Sequence, residues 1–408
     1  MKICLLLCRG NMFCGGQGIY LYYLSRELQR LGHDVHVMVG PPYPDIAPGI
    51  TVHKIDNLRL YESGGDFLPY PHPLRIFTPL NFYEFAATRF GAFPEMLTFS
   101  VRAFQRLKTL LREHRFDVIH DNQTMGYGLL LMKSFGIPLI GTVHHPLPID
   151  REAALRQALG AHQMIRLIFF YPFIMPNIVS KRMDRVITIS ESSGREIARY
   201  FKVPAQKTRV VYLGVDTKAF RPNGRTAEKG HILFVGNTDD RRKGIIYLLK
   251  AMELLSKDYD LHLTIVDRKP PESVLAPIFV ERYKLEDRVT FTGRLSTEDL
   301  AALYSTATIA VTPSLFEGFG LPAVEAMACG VPVIASRAGA LPEVVVDGET
   351  GILVPPADPP ALAGAIARLV DQPTLREKFG FAGRERVERL FTWEQVAKKT
   401  VEVYKEVL

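Results

Sequence analysis

The chain contains little cysteine and tryptophan and has no long apolar run. Its 408 residues include four cysteines and one tryptophan. Four cysteines in a chain of this length favour a reducing compartment over a disulfide-stapled secreted fold. No apolar run reaches the roughly 18 residues of a membrane span, and the opening MKICLLLC is too short for a secretion signal. These absences predict a cytoplasmic protein.

Several ligand-binding motifs are missing as well. The cysteines lack the close pairs and further ligands of a zinc site. The glycine run GGQG lacks the spacing G-x-G-x-x-G, and no P-loop GK[ST] occurs. The D-x-D at residues 258–260 precedes a predicted strand, which is the wrong end of a parallel sheet for a ligand. We therefore expect no metal and no cofactor beyond a co-substrate.

The net charge of +7 is spread unevenly. Residues 1–190 carry +6 and the other 218 residues carry +1. A modestly basic first half suits an anionic partner such as a lipid surface or a phosphorylated acceptor. The charge forms no Lys/Arg stripe, so it does not indicate nucleic-acid binding.

The apolar pattern predicts two doubly wound α/β domains. Short apolar runs alternate with segments of helical spacing, which is typical of parallel sheets. The runs of the first series are KICLLLC, HDVHVMV, FDVIHD, IPLIGTVHH and DRVITIS; those of the second are HILFVGN, LHLTIVD, RVTFTG, IAVTPS, PVIAS and GILVPP. The polar, turn-rich segment 213–230 separates them as a linker. We place the domains at 1–215 and 216–390, with a final helix at 391–408.

The stretch SLFEGFGLPAVEAMACG, residues 314–330, combines an anion site with two acids. Pro322 suits the start of a helix and Gly330 its left-handed cap, which predicts a helix over Leu321–Cys329. Its free N–H groups favour an anion. Glu317 and Glu325 cannot bind phosphate, but carboxylates accept hydrogen bonds from sugar hydroxyls. A nucleoside diphosphate sugar presents both kinds of group. Stabilisation of the helix dipole is an alternative role for Glu325.

Further candidates follow other strands, where ligands of parallel sheets bind. Gly15 and Gly16 allow close backbone approach to a ligand, or form only a tight turn. The run RRKG at 241–244 can clamp a diphosphate, or is solvated loop charge. His144 follows IPLIGTV; taken by itself it is best explained as a histidine satisfied by backbone groups.

The stretch E-x7-E from Glu317 to Glu325, within PSLFEGFGLPAVEAMACGVPVIASRAGALPEVVVDGETGILVPPAD, resembles the signature of retaining glycosyltransferases of family four. The resemblance covers nearly the whole chain and implies the GT-B architecture, two Rossmann-like domains facing a central cleft. It implies that Glu325 holds the ribose hydroxyls and that Glu317 lies at the donor sugar. Other roles implied by the resemblance are backbone donation at Phe319, Gly320 and Leu321, diphosphate binding by Lys243 and by the loop at Gly15 and Gly16, sugar contact by His144 and base contact near Arg294.

One departure from the family concerns the diphosphate. The family commonly has Gly-Arg where this chain has Gly236 and Asn237, so that one cation is missing. Arg241 or Arg242 is a possible substitute, and the sequence does not decide between them. We assign Asn237 and Arg242 to the donor site beside Lys243.

Together with these residues, the resemblance implies transfer of a hexose from a nucleoside diphosphate sugar, with retention of configuration, to an acceptor hydroxyl on the first-domain side. UDP-glucose is the first expectation for the donor and GDP-mannose the second. Two alternatives are a GT-B nucleotide-sugar epimerase, which needs no acceptor, and a non-catalytic nucleotide-sugar-binding protein.

The acceptor is predicted from two aromatic, proline-broken segments. Residues 61–99 contain ten aromatic residues and five prolines; they form either an apolar groove or a second small core. Residues 164–182 form either a buried helix, which is our expectation, or a peripheral contact with the inner face of a membrane. If both segments line one groove, Phe77 and Phe82 bind an amphiphilic acceptor such as a lipid-linked or aromatic alcohol.

Overall fold

The structure is a computed structural model that describes residues 1–11, 16–60, 73–157, 160–170, 174–224, 227–270 and 272–408. The chain divides into two compact units. The first comprises Met1–Ile189, Ser193–Val211 and Val396–Leu408, and the second Ser190–Ser192 and Tyr212–Gln395. The sequence placed this boundary at residue 215, four residues beyond Val211. No helix in the described part of the chain is long and apolar enough to cross a membrane.

In the described part of the first unit, seven parallel strands form one sheet in the order β3-β2-β1-β4-β5-β6-β7. The strands are β1 (Lys2–Leu7), β2 (Asp34–Val39), β3 (Thr51–Lys54), β4 (Val118–Asn122), β5 (Leu139–Val143), β6 (Arg185–Thr188) and β7 (Thr208–Val210). The helices are α1 (Gln17–Arg30), α2 (Pro79–Arg89), α3 (Glu95–Leu110), α4 (Gly128–Met132), α5 (Leu147–Gln157), α6 (Ala161–Phe170), α7 (Ile174–Arg182) and α8 (Glu191–Phe201).

In the described part of the second unit, six parallel strands pair in the order β10-β9-β8-β11-β12-β13. They are β8 (His231–Val235), β9 (His262–Val266), β10 (Val289–Phe291), β11 (Ile309–Thr312), β12 (Val333–Ser336) and β13 (Gly351–Val354). The helices are α9 (Ile245–Leu255), α10 (Leu275–Arg282), α11 (Thr297–Thr306), α12 (Leu321–Ala328), α13 (Leu341–Val344), α14 (Pro359–Asp371) and α15 (Pro373–Leu390). The last helix, α16 (Trp393–Lys405), belongs to the first unit from Val396 onward.

The strand orders reverse direction beside the first strand of each unit, which is the doubly wound arrangement. Every predicted strand is present. A continuous apolar run marks a strand buried on both faces, which describes most of them, although β10 is a short and partly exposed edge strand. Two strands were missed, β3 and β7. They lie at the two edges of the first sheet and are short and half-exposed, so they lack the apolar run that identified the others.

The two aromatic segments separate into buried and exposed parts. Residues 61–72 and 171–173 lie outside the described residues. Helix α3 packs Met96 and Phe99 into the core of the first unit, whereas Phe77 and Phe82 are 75% and 59% exposed. The expectation of a buried helix over 164–182 is met only in part by α7, which buries Met175, Pro176, Val179 and Ser180 but exposes Ile174 and Ile178. It is wrong for α6, which exposes Met164, Ile165 and Ile168.

Candidate active site

The helix predicted over Leu321–Cys329 is present as α12, Leu321–Ala328, and Gly330 beyond its end has the predicted left-handed conformation, with φ +75°. Gly320 has φ +100°, which a side chain rarely adopts, and a Cβ there would lie 2.7 Å from Leu341 Cδ2. Phe319 is buried beside the rings of Tyr212 and Phe391. The helix begins at Leu321. Ala323 N and Val324 N donate to the carbonyl oxygen of Gly320 at 3.0 and 3.3 Å. Since those two groups are engaged and Pro322 has no N–H, the N–H groups of Gly320 and Leu321 are the ones placed at the positive end of the helix dipole. The glycine turn before α12 is thus anchored on both sides of a helix start that favours an anion.

Glu317 lies just before this turn, and Lys243 contacts it. Lys243 Nζ is 2.7 Å from Glu317 Oε1, and Ser314 Oγ donates to the same oxygen at 3.0 Å. Glu317 is buried and the lysine partly exposed. The backbone carbonyl of Glu317 accepts a hydrogen bond from Ala340 N at 2.9 Å. The two predicted catalytic groups of the second unit therefore form one ion pair.

The loop that carries Lys243 is fixed by a close backbone approach. Gly244 has φ +71°, and a Cβ there would lie 2.0 Å from the carbonyl oxygen of Pro313. Arg242 Nη2 lies 2.9 Å from Asp240 Oδ2, while Arg241 is exposed. The guanidinium of Arg242 is thus engaged by its own loop, so a diphosphate would have to compete with Asp240 for it.

A different arginine reaches the position of the missing family cation. Arg268 Nη2 donates to Asn237 Oδ1 at 3.2 Å and pairs with Asp239 Oδ2 at 2.9 Å. A Cβ on the neighbouring Gly236 would lie 3.8 Å from Lys243 Cδ. Arg268 and Lys243 therefore flank the turn at Gly236 and Asn237.

Glu325 projects from α12 and is held by a buried tyrosine. The hydroxyl of Tyr304 lies 3.1 Å from both Glu325 Oε2 and the carbonyl oxygen of Pro322. Burial raises the pKa of Glu325 to about 7, and the hydrogen bond from Tyr304 opposes that rise. The carboxyl group is therefore present in both protonation states near neutral pH. Arg294, the predicted base contact, is exposed just after β10.

In the first unit, Gly16 precedes α1 with φ +68°, as a left-handed glycine at the helix start. Gly15 lies outside the described residues. The first-turn N–H groups of α1 follow the carboxyl end of β1, the end where ligands of such sheets bind. This position agrees with the predicted glycine loop.

His144 is held by the side chains of the last residue of β4, Asn122, and of the next residue, Gln123. Asn122 Nδ2 donates to the carbonyl oxygen of Gln17 at 3.2 Å, so its Oδ1 faces His144 Nε2, 2.7 Å away. Gln123 Oε1 accepts from His144 N at 2.7 Å. Since Oδ1 can only accept, Nε2 carries the proton and Nδ1 is left as an acceptor. The structure thus defines the tautomer of His144.

His144 is uncharged at neutral pH. Burial lowers its pKa to about 3, with a smaller contribution from His145. Its ring packs edge-on against Tyr20, whose hydroxyl lies 3.2 Å from Thr142 Oγ1. Such an imidazole can hydrogen-bond a sugar hydroxyl, but it is a poor proton donor.

A buried chain of hydrogen bonds continues from Thr142. Its hydroxyl lies 2.7 Å from His120 Nε2, and His120 Nδ1 lies 2.7 Å from the hydroxyl of Tyr404 on α16. Burial lowers the pKa of His120 to about 3. Neutral hydrogen bonds therefore connect the C-terminal helix to Tyr20, whose ring packs against His144.

Among the described residues, no group of three His, Cys, Asp or Glu side chains is arranged to hold a metal. Cys4, Cys8 and Cys329 are free and buried.

Two family models together match almost the whole chain. "Glycosyltransferase Family 4" matches residues 14–219, and "Glycosyl transferases group 1" matches residues 215–386. The chain belongs to glycosyltransferase family four. This protein is therefore a glycosyltransferase, and the predicted family and GT-B fold class are both confirmed.

Individual relatives of this glycosyltransferase are also named as glycosyltransferases. It is 41% identical to the MMP alpha-(1->4)-mannosyltransferase of Mycolicibacterium hassiacum, over 100% of this chain and 98% of the relative. It is 29% identical to a D-inositol 3-phosphate glycosyltransferase of Catenulispora acidiphila, over 97% of this chain and 91% of that relative. Among solved structures, the sucrose-phosphate synthase of Thermosynechococcus elongatus matches with a TM-score of 0.73 at 28% identity, over 100% and 99%.

Sequence reasoning missed the residues that hold the candidate groups. Arg268 follows β9 at its carboxyl end, so the rule that selected Lys243 could have found it. Asn122 and Gln123 lie at the carboxyl end of β4, so the same rule could have found them. Tyr304 could not have been found in that way, because it lies on a helix and acts through Glu325, 21 positions away in the sequence.

Proposed function

We propose that this glycosyltransferase moves a mannosyl group, with retention of configuration, from GDP-mannose to an acceptor hydroxyl. The arrangement that carries the proposal of a diphosphate donor is the Lys243–Glu317 pair at the start of α12. It sets a cation and backbone N–H groups beside a carboxylate that can accept sugar hydroxyls. The full-length likeness to a protein named a mannosyltransferase supports mannose over the glucose that was expected first.

The proposed roles follow from these contacts. Lys243 and the N–H groups of Phe319 to Leu321 stabilise charge on the departing diphosphate. Arg268 supplies the second cation at the turn of Asn237, in place of the Arg242 assigned from the sequence. Each of these arginines is paired with an aspartate at 2.9 Å, so the feature that favours Arg268 is its hydrogen bond to Asn237. Glu317 accepts hydroxyls of the transferred sugar, and ionised Glu325 accepts the ribose hydroxyls. Arg294 lies by the base.

The proposed reaction takes place on one face of the sugar. The bond from the anomeric carbon to the diphosphate oxygen breaks, and the bond to the acceptor oxygen forms on the same side. The acceptor proton passes to the departing phosphate. His144 serves as a neutral hydrogen-bonding group for the transferred sugar, which agrees with its low pKa. No protein nucleophile is required.

The experiment is a thermal-shift screen with GDP-mannose, UDP-glucose and ADP-glucose, followed by turnover with mannoside acceptors. A donor at 100 times its dissociation constant should add about 2.7 kcal/mol to the free energy of unfolding. Stabilisation by UDP-glucose but not by GDP-mannose would overturn the proposed donor. An inverted product anomer, read by NMR, would overturn retention. If the sugar is epimerised when the donor is incubated alone, the protein is an epimerase. If the donor binds but no acceptor is glycosylated, the protein is a non-catalytic binding protein.

A further inference from the structure

A cavity in the first unit brings the two aromatic segments together through residues that the sequence did not single out. Its volume is about 210 Å³. Phe93 comes from the first segment and Phe170 from the second, and their ring centroids lie 5.6 Å apart. The other described lining residues are Cys8, Arg9, Gln17, Met96, Gln123 and Leu147. Phe77 and Phe82 are not among them.

The cavity adjoins the residues that hold His144. Gln123, which lines it, accepts the hydrogen bond from His144 N. Gln17, which also lines it, accepts from Asn122 through its backbone carbonyl. A molecule in this cavity therefore lies next to the group that we propose contacts the transferred sugar. That is the position expected for part of an acceptor.

The charges in the wall favour a neutral ligand. Arg9 Nη1 lies 3.3 Å from Glu95 Oε2, and the Arg9 guanidinium lies 5.9 Å from the centre of the Phe93 ring. Arg9 is the charged residue of the described lining, and the buried Glu95 behind it offsets its charge, so the pair as a whole is neutral. Burial, with the nearby charge of Glu95, raises the pKa of the Cys8 thiol well above its usual range, so it stays uncharged.

The size of the cavity fits a substantial apolar group. A dry cavity of about 150 Å³ lined by apolar side chains admits benzene. The volume here is larger, and most of its described lining is apolar, but the space is a pocket partly open to solvent and not an enclosed cavity. A short alkyl chain or an aromatic ring would bury its surface against Phe93, Met96 and Phe170.

We propose that the cavity between Phe93 and Phe170 binds an uncharged apolar group of the acceptor, so that the preferred acceptors are neutral glycosides carrying an alkyl or aryl substituent. This inference rests on the proposed function, because it names the substrate class of the same site. It keeps the amphiphilic acceptor predicted from the sequence and reassigns the aromatic contact from Phe77 and Phe82 to Phe93 and Phe170.

The test is calorimetric titration of the full chain, without donor, with methyl, butyl and hexyl α-mannosides. Each added methylene should lower the dissociation constant by up to about fourfold until the cavity is full. Phe170→Ala should flatten this dependence on chain length. Phe90→Ala is the matched control, since Phe90 is 84% exposed in the same aromatic segment as Phe93. Phe93→Leu, which keeps an apolar side chain, is a second variant in which the dependence on chain length is measured. Melting temperatures verify that each variant folds.

Several results would overturn the inference. They are dissociation constants that do not change with chain length, no binding of the hexyl mannoside, and an equal loss in Phe90→Ala and Phe170→Ala. Hexyl phosphate binding more tightly than hexyl mannoside would overturn the neutral class. Loss of the dependence in Phe77→Ala instead would restore the groove predicted from the sequence. Because no donor is present, the cavity result stands even if GDP-mannose fails as the donor.

Discussion

Ion pairs hold Lys243, Glu317 and Arg268 in the second unit, whereas neutral hydrogen bonds hold His144 in the first. Glu325 differs from its neighbours in the second unit, because the hydroxyl of Tyr304 holds it. In the second unit, ion pairs surround the glycine turns: Lys243 with Glu317, and Arg268 with Asp239. In the first unit, His144 and His120 are buried, neutral and linked through amides and hydroxyls. Both sets follow strands of parallel sheets, so the fold itself does not explain the difference.

The difference agrees with what each unit is proposed to bind. A diphosphate carries charge that grows as the sugar departs, so charged donors must be ready where it develops. A neutral acceptor brings only hydroxyls and apolar surface, and uncharged amides, hydroxyls and imidazoles can hydrogen-bond those hydroxyls. The units should therefore also respond oppositely to pH. The first should lose stability on acidification, and the second should lose it as Glu325 ionises.

The largest expected effect is at Lys243. Lys243→Ala should lower kcat with GDP-mannose by roughly 10²–10³-fold, as for the loss of one oxyanion donor. The measurement is initial rate at saturating donor, with Lys250→Ala, on the helix that follows, as the control. Near-normal turnover in Lys243→Ala would contradict the proposal that Lys243 stabilises charge on the departing diphosphate.

The double variant Lys243→Ala/Glu317→Gln sharpens this test. If the loss arises only because Glu317 is left without its cation, the double variant should recover turnover. If Lys243 stabilises the transition state, the double variant should remain at least as slow as the single one.

Glu325→Gln should reveal the pH response of the second unit. The pKa of Glu325 is about 7 in the folded state against an ordinary value of 4.5, so the folded state binds the proton more tightly than the unfolded state does. This stabilisation is complete below pH 4.5 and is lost as the pH rises through 7. Without donor, the variant should match the wild type at pH 4 and exceed it at pH 8 by on the order of 3 kcal/mol.

Urea unfolding across this pH range measures the effect, and Glu402→Gln, at an exposed position, is the control. Parallel stability curves for wild type and Glu325→Gln would contradict the raised pKa.

Tyr404→Phe tests the neutral network of the first unit. Removing the hydroxyl leaves buried His120 Nδ1 without its partner, which should cost about 2 kcal/mol of unfolding free energy at pH 7.5. The depressed pKa of His120 gives stability that is complete above pH 6.5 and is lost as the pH falls toward 3. Tyr83→Phe, at an exposed tyrosine, should change little. Equal stabilities of the two variants would show that the chain of hydrogen bonds does not hold α16.

The smallest expected effect separates two arginines of equal exposure. Arg268→Ala should raise the KM for GDP-mannose about tenfold, roughly 1.4 kcal/mol, because a second diphosphate cation is lost. Arg288→Ala removes a guanidinium that is likewise 32% exposed and paired with an aspartate, but at the start of β10. It should leave KM unchanged. An unchanged KM in Arg268→Ala would contradict this role, and Arg241 or Arg242 would again be the expected substitute for the missing family arginine.

The sequence by itself determined the fold class, the family and most of the strands. Continuous apolar runs such as that of β1 report burial on both faces, and this information is local. The turn at Gly320 and the helix over Leu321–Ala328 could also be predicted, because glycine and proline restrict the backbone within a few residues. The short edge strands β3 and β7 were missed because pairing, rather than a buried apolar face, defines them.

Tertiary structure alone decided which side chains meet. Arg268 reaches Asn237 from another strand, Tyr304 sets the environment of Glu325 from another helix, and Asn122 fixes the proton of His144 from a neighbouring strand. Phe93 and Phe170 line one cavity although 77 positions separate them, while Phe77 and Phe82 in the same aromatic pattern face outward. The physical reason is that residue type and spacing report local conformation and burial, whereas pKa values and cavities depend on neighbours that only the folded chain brings together.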